Sequence, residues 1–263
     1  MAVRKNLKLI FSHFALNIKK EWQYKTSFFM QIIMMMLNDL FFIIQWLIVF
    51  DIVDSIGGYG FNEVMLLWAV TAGGYGFSHT FFNGAWKLSS LIYECNLDVY
   101  LTQPKNTLIN VCSSYTSIAA IGDMIYAFVV LFIIQAPWYW FLIMIPAMIL
   151  SGLLIVAVQV TFVSLCFVVK RGDAVARNIQ GTMVKAGNYP SHIFSLAVKA
   201  VFFTIIPTFF FAYIPAEHLF INFNIWWVLI LVAGVALWIG LAFLCFYKGL
   251  KRYSSGSVTS GRI

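Results

Sequence analysis

Six stretches of this 263-residue chain run for about twenty residues on almost unbroken apolar side chains, with no more than two charges in any of them. They cover residues 28–53, 64–82, 114–135, 141–169, 193–214 and 225–247. A water-soluble fold has no place for that much apolar surface. Apolar residues make up 62% of the chain and charged ones 10%, against about 45–50% and 25% in ordinary soluble domains. The solvent for most of the chain is therefore lipid. This excludes a soluble enzyme, a disulfide-stapled secreted module and a disordered regulator. The alternation expected of barrel strands is missing, so the spans are helical. The expected fold is an all-α polytopic membrane protein with six transmembrane helices over 28–247, preceded by residues 1–27 and followed by a tail at 248–263. Pro146 and Gly152 invite a kink or tilt in the long fourth stretch.

Charge sets the orientation. Sixteen of the seventeen Lys and Arg fall before the first span, in the second-to-third and fourth-to-fifth loops, and in the tail; only Lys199 lies within a span. The opposite loops carry Asp54, Glu63 and Glu217 and no basic residue. The positive-inside rule places both termini in the cytoplasm, and an even number of spans requires them to share a side. Trp138-Tyr139-Trp140 and Trp226-Trp227 fall where an outer aromatic belt is expected.

Residues 1–27 lack the continuous apolar core and small-residue cleavage site of a signal peptide. Leu7, Ile10, Phe11, Phe14, Ile18 and Trp22 fall largely on one helical face, with Lys5, Lys8, Ser12, Lys19 and Lys20 mainly elsewhere. That pattern describes an amphipathic helix in the cytoplasmic interface; a soluble helix packed on a partner is the alternative. Cys95, Cys112, Cys166 and Cys245 form no CxxC pair and read as small packing residues. No phosphate-binding G-x-x-x-x-G-K-[ST] loop, H-E-x-x-H or G-x-S-x-G is present, and His13, His79, His192 and His218 are scattered. Catalytic residues and metal ligands are therefore not expected, and neither is ATP hydrolysis by this chain.

Charges inside spans are costly and usually face a partner or a cavity. Asp39 in the first span, Asp123 in the third and Lys199 near the inner end of the fifth are candidates for a translocation path. Interhelical pairing, for instance of Lys199 with a carboxylate, is the structural alternative. In the second span Ala69/Gly73 and Ala72/Gly76 make small-xxx-small pairs, suited to close packing within the bundle or across a dimer. The GGYGF of 57–61 recurs at 73–77, too short an echo for a repeat architecture. The loop 86–110 starts with helical spacing (Leu88, Leu91, Ile92, Cys95) and turns to alternation at Leu97-Asp98-Val99-Tyr100-Leu101 before Pro104. It reads as a short amphipathic element offering Glu94 and Asp98 to a soluble partner, or as a plain connecting loop.

The run Leu97-Asp98-Val99-Tyr100-Leu101-Thr102-Gln103-Pro104-Lys105-Asn106 resembles the LD-x-x-L-x-x-P-x-N stretch of small six-span permeases in the type-2 ABC exporter superfamily. Tyr189-Pro190-Ser191-His192-Ile193-Phe194, Ile206-Pro207 and Tyr213-Ile214-Pro215-Ala216 are similar to the same family's later signature. Lys248-Gly249-Leu250-Lys251-Arg252-Tyr253-Ser254-Ser255 is similar to its usual ending. The departure is Cys95, two residues before Leu97, where the family usually has glycine.

This resemblance implies a permease that pairs with a second, distinct or identical permease chain and with a separate ABC ATPase dimer, in a bacterial plasma membrane. ATP and Mg would sit on the ATPase, with no cofactor in this chain. A coupling helix in 86–110 would meet the ATPase through Glu94, Asn96, Leu97, Asp98, Tyr100, Leu101, Gln103 and Pro104, and Arg171 and Asp173 would make a second contact. The N-terminal helix would be the interfacial elbow. Membrane lipid is a partner and nucleic acid is not. Few interior charges and many Phe, Met and Trp point to export of a hydrophobic or amphiphilic cargo, lipid-like, peptide-like or drug-like. The other reading is an autonomous proton-coupled carrier or membrane enzyme using Asp39 and Asp123.

Overall fold

Residues 2–253 are described in a computed structural model. They form an all-α bundle with one isolated bridge, Ile56 to Tyr59. Helix α1 (Ala2–Glu21) passes through a 3-10 turn (Trp22–Tyr24) into α2 (Lys25–Ile52). There follow α3 (Phe61–Phe82), α4 (Gly84–Tyr93), α5 (Asp98–Leu101), α6 (Thr107–Ser113), α7 (Ala120–Ile133) and α8 (Trp138–Val163). After a 3-10 turn at Ser164–Phe167 come α9 (Gly172–Gly187) and α10 (Leu196–Thr204), two π-helical stretches at Phe209–Tyr213 and Ala216–Ile221, and α11 (Ile225–Leu250).

Local chemistry sets several of these boundaries. The Gly60 N–H donates to Glu63 Oε2 at 2.9 Å to open α3. Asn106 Oδ1 accepts from the Ile109 N–H at 3.1 Å at the start of α6, and Asn224 Oδ1 from the Trp226 N–H at 3.0 Å at the start of α11. Gly57 and Gly58, at φ +59° and +84°, supply the left-handed pair that a tight turn needs between α2 and α3. The second GGYGF lies inside α3, so the two copies adopt unrelated conformations.

Helix α3 is the hub. It packs on α7 and α8, and most of its residues are buried. An added Cβ at Gly73 would lie 2.6 Å from Met148 Cγ, at Gly74 2.6 Å from Ser151 Cβ, and at Gly76 2.7 Å from the Ala120 carbonyl oxygen. The small residues therefore serve packing within the bundle. On α2 only Phe28, Asp39, Ile43 and Trp46 are buried, while Met34, Leu37, Phe41 and Ile48 stand exposed, as a lipid-facing surface does. Helix α1 packs on α6 and on the end of α3: His13 Nδ1 is 2.9 Å from Ser113 Oγ of α6, and the Phe14 ring lies 4.9 Å from that of Phe81 of α3. Leu7, Phe11 and Trp22 remain exposed, so α1 has one protein-facing strip and an adjoining apolar strip open to its surroundings.

Among the described residues three helices can cross a membrane by length and apolar composition: the continuous run Arg4–Ile52, Trp138–Phe167 and Ile225–Leu250. A fourth is added if Leu196–Thr204 and Phe209–Ile221, bent by 78° at their junction, count as one span. This is fewer than the six expected, for a physical reason in each case. Helix α3 carries Asn62, Glu63, Thr71, Ser78, His79 and Thr80, and buries most of its polar groups in the bundle. The third stretch, expected at 114–135, is helical only over the 14 residues Ala120–Ile133. The fifth, expected at 193–214, is not a straight helix. His192, just before it, and Glu217, just after it, both meet Tyr59: the Tyr59 and His192 rings are 5.4 Å apart, and the Tyr59 hydroxyl donates to Glu217 Oε2 at 3.5 Å. The intervening chain leaves and returns to one end of the bundle.

Helix α9, expected to belong to a loop, connects the two ends instead. Its start lies against Leu165 and Cys166, and Gln180 Oε1 accepts from the Trp86 indole N–H at 3.0 Å. Beyond it Tyr189 packs on Trp46 at 6.0 Å, and His192 Cβ is 3.2 Å from where a Cβ on Gly57 would stand.

Candidate functional site

Two regions hold the residues singled out by sequence. The first is the surface at the α1 end of the bundle. Helix α4 ends in a Schellman turn: the Asn96 N–H donates to the Leu91 carbonyl at 3.0 Å and the Cys95 N–H to Ile92 at 3.4 Å. Cys95 sits at φ +58°, the left-handed conformation that glycine adopts without strain. The unusual residue thus keeps the turn that glycine would make. Cys95→Gly is expected to relieve about 1 kcal/mol and to raise the Tm of the purified chain by about 2–4 °C; an unchanged or lower Tm contradicts this account.

The turn delivers Leu97 into the core, fully buried, and projects the chain back out. The alternating pattern of 97–101 is realised as a helical turn, α5, rather than as extended chain. Tyr100 donates to Ser114 Oγ at 3.2 Å, and Gln103 accepts from Asn110 Nδ2 at 3.0 Å, so both have internal duties. Asp98 is half-buried and faces the tail, where burial and then the Asp98 charge push the Tyr253 hydroxyl up to about 12. Glu94, Asn96, Leu101 and Pro104 are exposed, with Asn96 Nδ2 donating to Glu94 Oε2 at 3.0 Å. Val99, 62% exposed, is the most prominent apolar side chain of the turn; as an odd member of an alternating run it gave no sequence signal of its own.

Arg171 is exposed, and Asp173 pairs with Arg177 at 2.6 Å. The Tyr93 hydroxyl donates to Asp173 Oδ1 at 3.4 Å, joining this second segment to the end of α4. The two stretches expected to face a partner therefore share one surface. Of the tail motif, Ser254 and Ser255 lie outside the described residues, as does Arg262.

The second region is a cavity of about 270 Å³ between α2, α3, α7 and the end of α9. Asp39 and Asp123, far apart in sequence, meet there within hydrogen-bonding reach of each other, and Asn38 adds a further bond to Asp39. They are 4% and 2% exposed. Lys199 does not join them. It sits half-exposed on α10, on the segment that returns to the Tyr59 end, and makes no ion pair among the described residues. The pairing of Lys199 with these carboxylates, one of the expected alternatives, is therefore not formed among the described residues.

Among the described residues no group of three or more His, Cys, Asp or Glu could hold a metal ion. Cys112 and Cys166 are buried, Cys95 and Cys245 half-buried, all four as free thiols. No curated protein and no solved structure matches the chain. A family model described as ABC-2 family transporter protein matches residues 24–257, from the 3-10 turn before α2 to beyond the end of α11. With most of its length matched, the chain belongs to the ABC-2 transporter family, the non-catalytic membrane permeases of ABC transport systems.

Proposed function

We propose that this chain is the permease subunit of an ATP-driven exporter that moves a hydrophobic or amphiphilic cargo out of the cytoplasm or inner leaflet. A second permease, distinct or identical, completes the path, and a separate ATPase dimer binds ATP and Mg. The observation that carries the reading is the shared surface of the α4–α5 turn and the start of α9, in a chain whose family is that of ABC permeases. Lys87, Lys105, Lys170, Arg171 and Arg177 border it, and the basic α1 lies at the same end. The positive-inside rule makes that end cytoplasmic and puts both termini there.

Six elements then cross: α2, α3, α7, α8, α9 and α11. Helix α9 replaces the apolar stretch 193–214 as the fifth, and α10 with the π-helical stretches forms a re-entrant hairpin at the outer side. At about 1.5 Å per residue the 16 residues of α9 reach roughly 24 Å, and the 3-10 turn at Ser191–Ile193 continues toward Gly57. ATP closes the ATPase dimer, the α4–α5 turn moves with it, and α3 and α9 shift against each other. Such motion requires ATP and cargo to bind the inward and outward states with different affinity. An apolar cavity of about 200 Å³, lined by Leu108, Cys112, Val156, Val160 and Ala242 among others, supports an apolar portion in the cargo.

The test is to co-express the chain with a neighbouring ATPase and permease, purify on a tag carried by this chain, and weigh the intact complex. The expected result is an assembly with two ATPase copies, whose transport is lost on Asp98→Arg while the permease still inserts. A chain that purifies alone and transports without ATP would instead favour an autonomous carrier using Asp39 and Asp123.

A further inference from the structure

The carboxyl-pair cavity has a chemistry that the permease role alone does not demand. Among the described residues no N–H or hydroxyl donor reaches Asp39 Oδ2, Asp123 Oδ2 or Asn188 Oδ1, although all three atoms are buried. Each belongs to a residue lining the same cavity. A buried acceptor without a donor costs about 1–3 kcal/mol, more when charged, so three in one cavity are a standing demand for N–H donors. Three of the other lining residues, Phe42, Trp68 and Tyr75, are aromatic, and the Trp68 indole N–H is itself buried without an acceptor among the described residues. Phe42 and Trp68 are in tilted contact with ring centroids 4.2 Å apart, and Tyr75 on α3 lines the same cavity. Aromatic faces attract a cation and exclude an anion.

We infer that this cavity binds a protonated amine, the three N–H groups of a primary ammonium meeting Asp39, Asp123 and Asn188 while its apolar body lies against Phe42, Trp68 and Tyr75. The inference rests on the permease reading in making this the cargo's recognition point: the exported molecule is an amphiphilic amine. An ammonium placed between the two carboxyl groups and the Asn188 side-chain oxygen meets an acceptor on each side. Asn188 ends α9 and Asp39 lies mid-way along α2. An ammonium held by both ties the two helices together, and motion of α9 would break that set of bonds and release the cargo.

The probe is phenethylammonium, with phenethyl alcohol as its neutral counterpart of similar shape, titrated calorimetrically into the full chain in nanodiscs. Wild-type protein is expected to bind the ammonium at least about tenfold more tightly than the alcohol, since charge-assisted bonds to carboxylates are the strong ones. In the double variant Asp39→Asn/Asp123→Asn that preference falls to near unity, and Asn188→Ala weakens the ammonium alone by about threefold to tenfold. Equal affinity for the two probes, or a preference that survives the double variant, overturns the proposal. If the double variant does not fold, the wild-type comparison and Asn188→Ala still decide it. The measurement needs no ATPase. A chain that binds the amine but assembles with no ATPase refutes only the permease reading, and one that assembles but ignores the amine refutes only the cargo.

Discussion

Replacing Gly84 with alanine is expected to cost the chain its folded state. A Cβ at position 84 would stand 1.9 Å from the Val111 carbonyl oxygen and 2.8 Å from that of Cys112. Both obstacles are backbone atoms, so no rotamer change relieves the overlap and α4 must move away from α6. Leu88, Leu91, Ile92, Leu108 and Val111, all buried, lose contacts in that movement. Overpacking a core usually costs about 1–3 kcal/mol; a clash held between two backbones exceeds the upper end, against a typical total stability of about 5–15 kcal/mol. Gly84→Ala should give little monodisperse protein on gel filtration, or a Tm lowered by more than about 6 °C. Gly181→Ala is the control. No atom lies within 4 Å of its would-be Cβ in α9, so helix propensity alone acts and stability should rise by up to about 1 kcal/mol. Equal behaviour of the two variants would show that the α4–α6 contact is not closed as described.

A second large effect is expected at the α5 turn. Val99 and Leu101, 62% and 39% exposed, are apolar side chains presented to the α1 end and left uncovered by the described residues. If the turn docks into the ATPase, both side chains become buried, at about 1.5–3 kcal/mol each. The pair Val99→Asp/Leu101→Asp forfeits that burial and places two charges in an apolar pocket. The loss should reach about a hundredfold or more in ATPase affinity, with ATP-driven transport falling in step. Folding should be untouched, because Leu97 and Tyr100, which anchor the turn, are unchanged. Pull-down of the ATPase by the double variant at wild-type affinity would exclude this turn as the coupling contact.

The candidate site was legible only in pieces. Asp39 and Asp123 each stand out as a charge in an apolar run, because hydrocarbon makes such a charge expensive wherever it lies. That they meet, and that Asn188 meets them, depends on how α2, α7 and α9 pack, and no periodicity in any one helix encodes it. Lys199 gave the same kind of signal and belongs elsewhere in the fold. In the 86–110 loop exposure divides the members of the motif in a way the run of letters does not: Leu97 is core, Tyr100 and Gln103 brace the turn, and Val99 and Leu101 are the apolar side chains left outside.

The same division runs through the whole fold. The apolar runs that became α2, α8 and α11 announced themselves because lipid, on much of their surface, asks only for hydropathy, and that is a property of sequence alone. The amphipathic α1, the small residues of α3 and the turn before Leu97 were readable for similarly local reasons. Helix α9 was not. It buries Ala176, Gln180, Met183 and Ala186 against its neighbours, with the Trp86 indole on Gln180, while Arg177, Asn178, Thr182 and Lys185 stay exposed, so its composition resembles that of a loop. The segment 193–214 was apolar enough to cross as one straight helix and is instead bent by 78°, with the residues flanking it meeting at Tyr59. Hydropathy decides what must leave water; which polar groups find partners inside the bundle, and so which helices pass through it, is decided by tertiary packing.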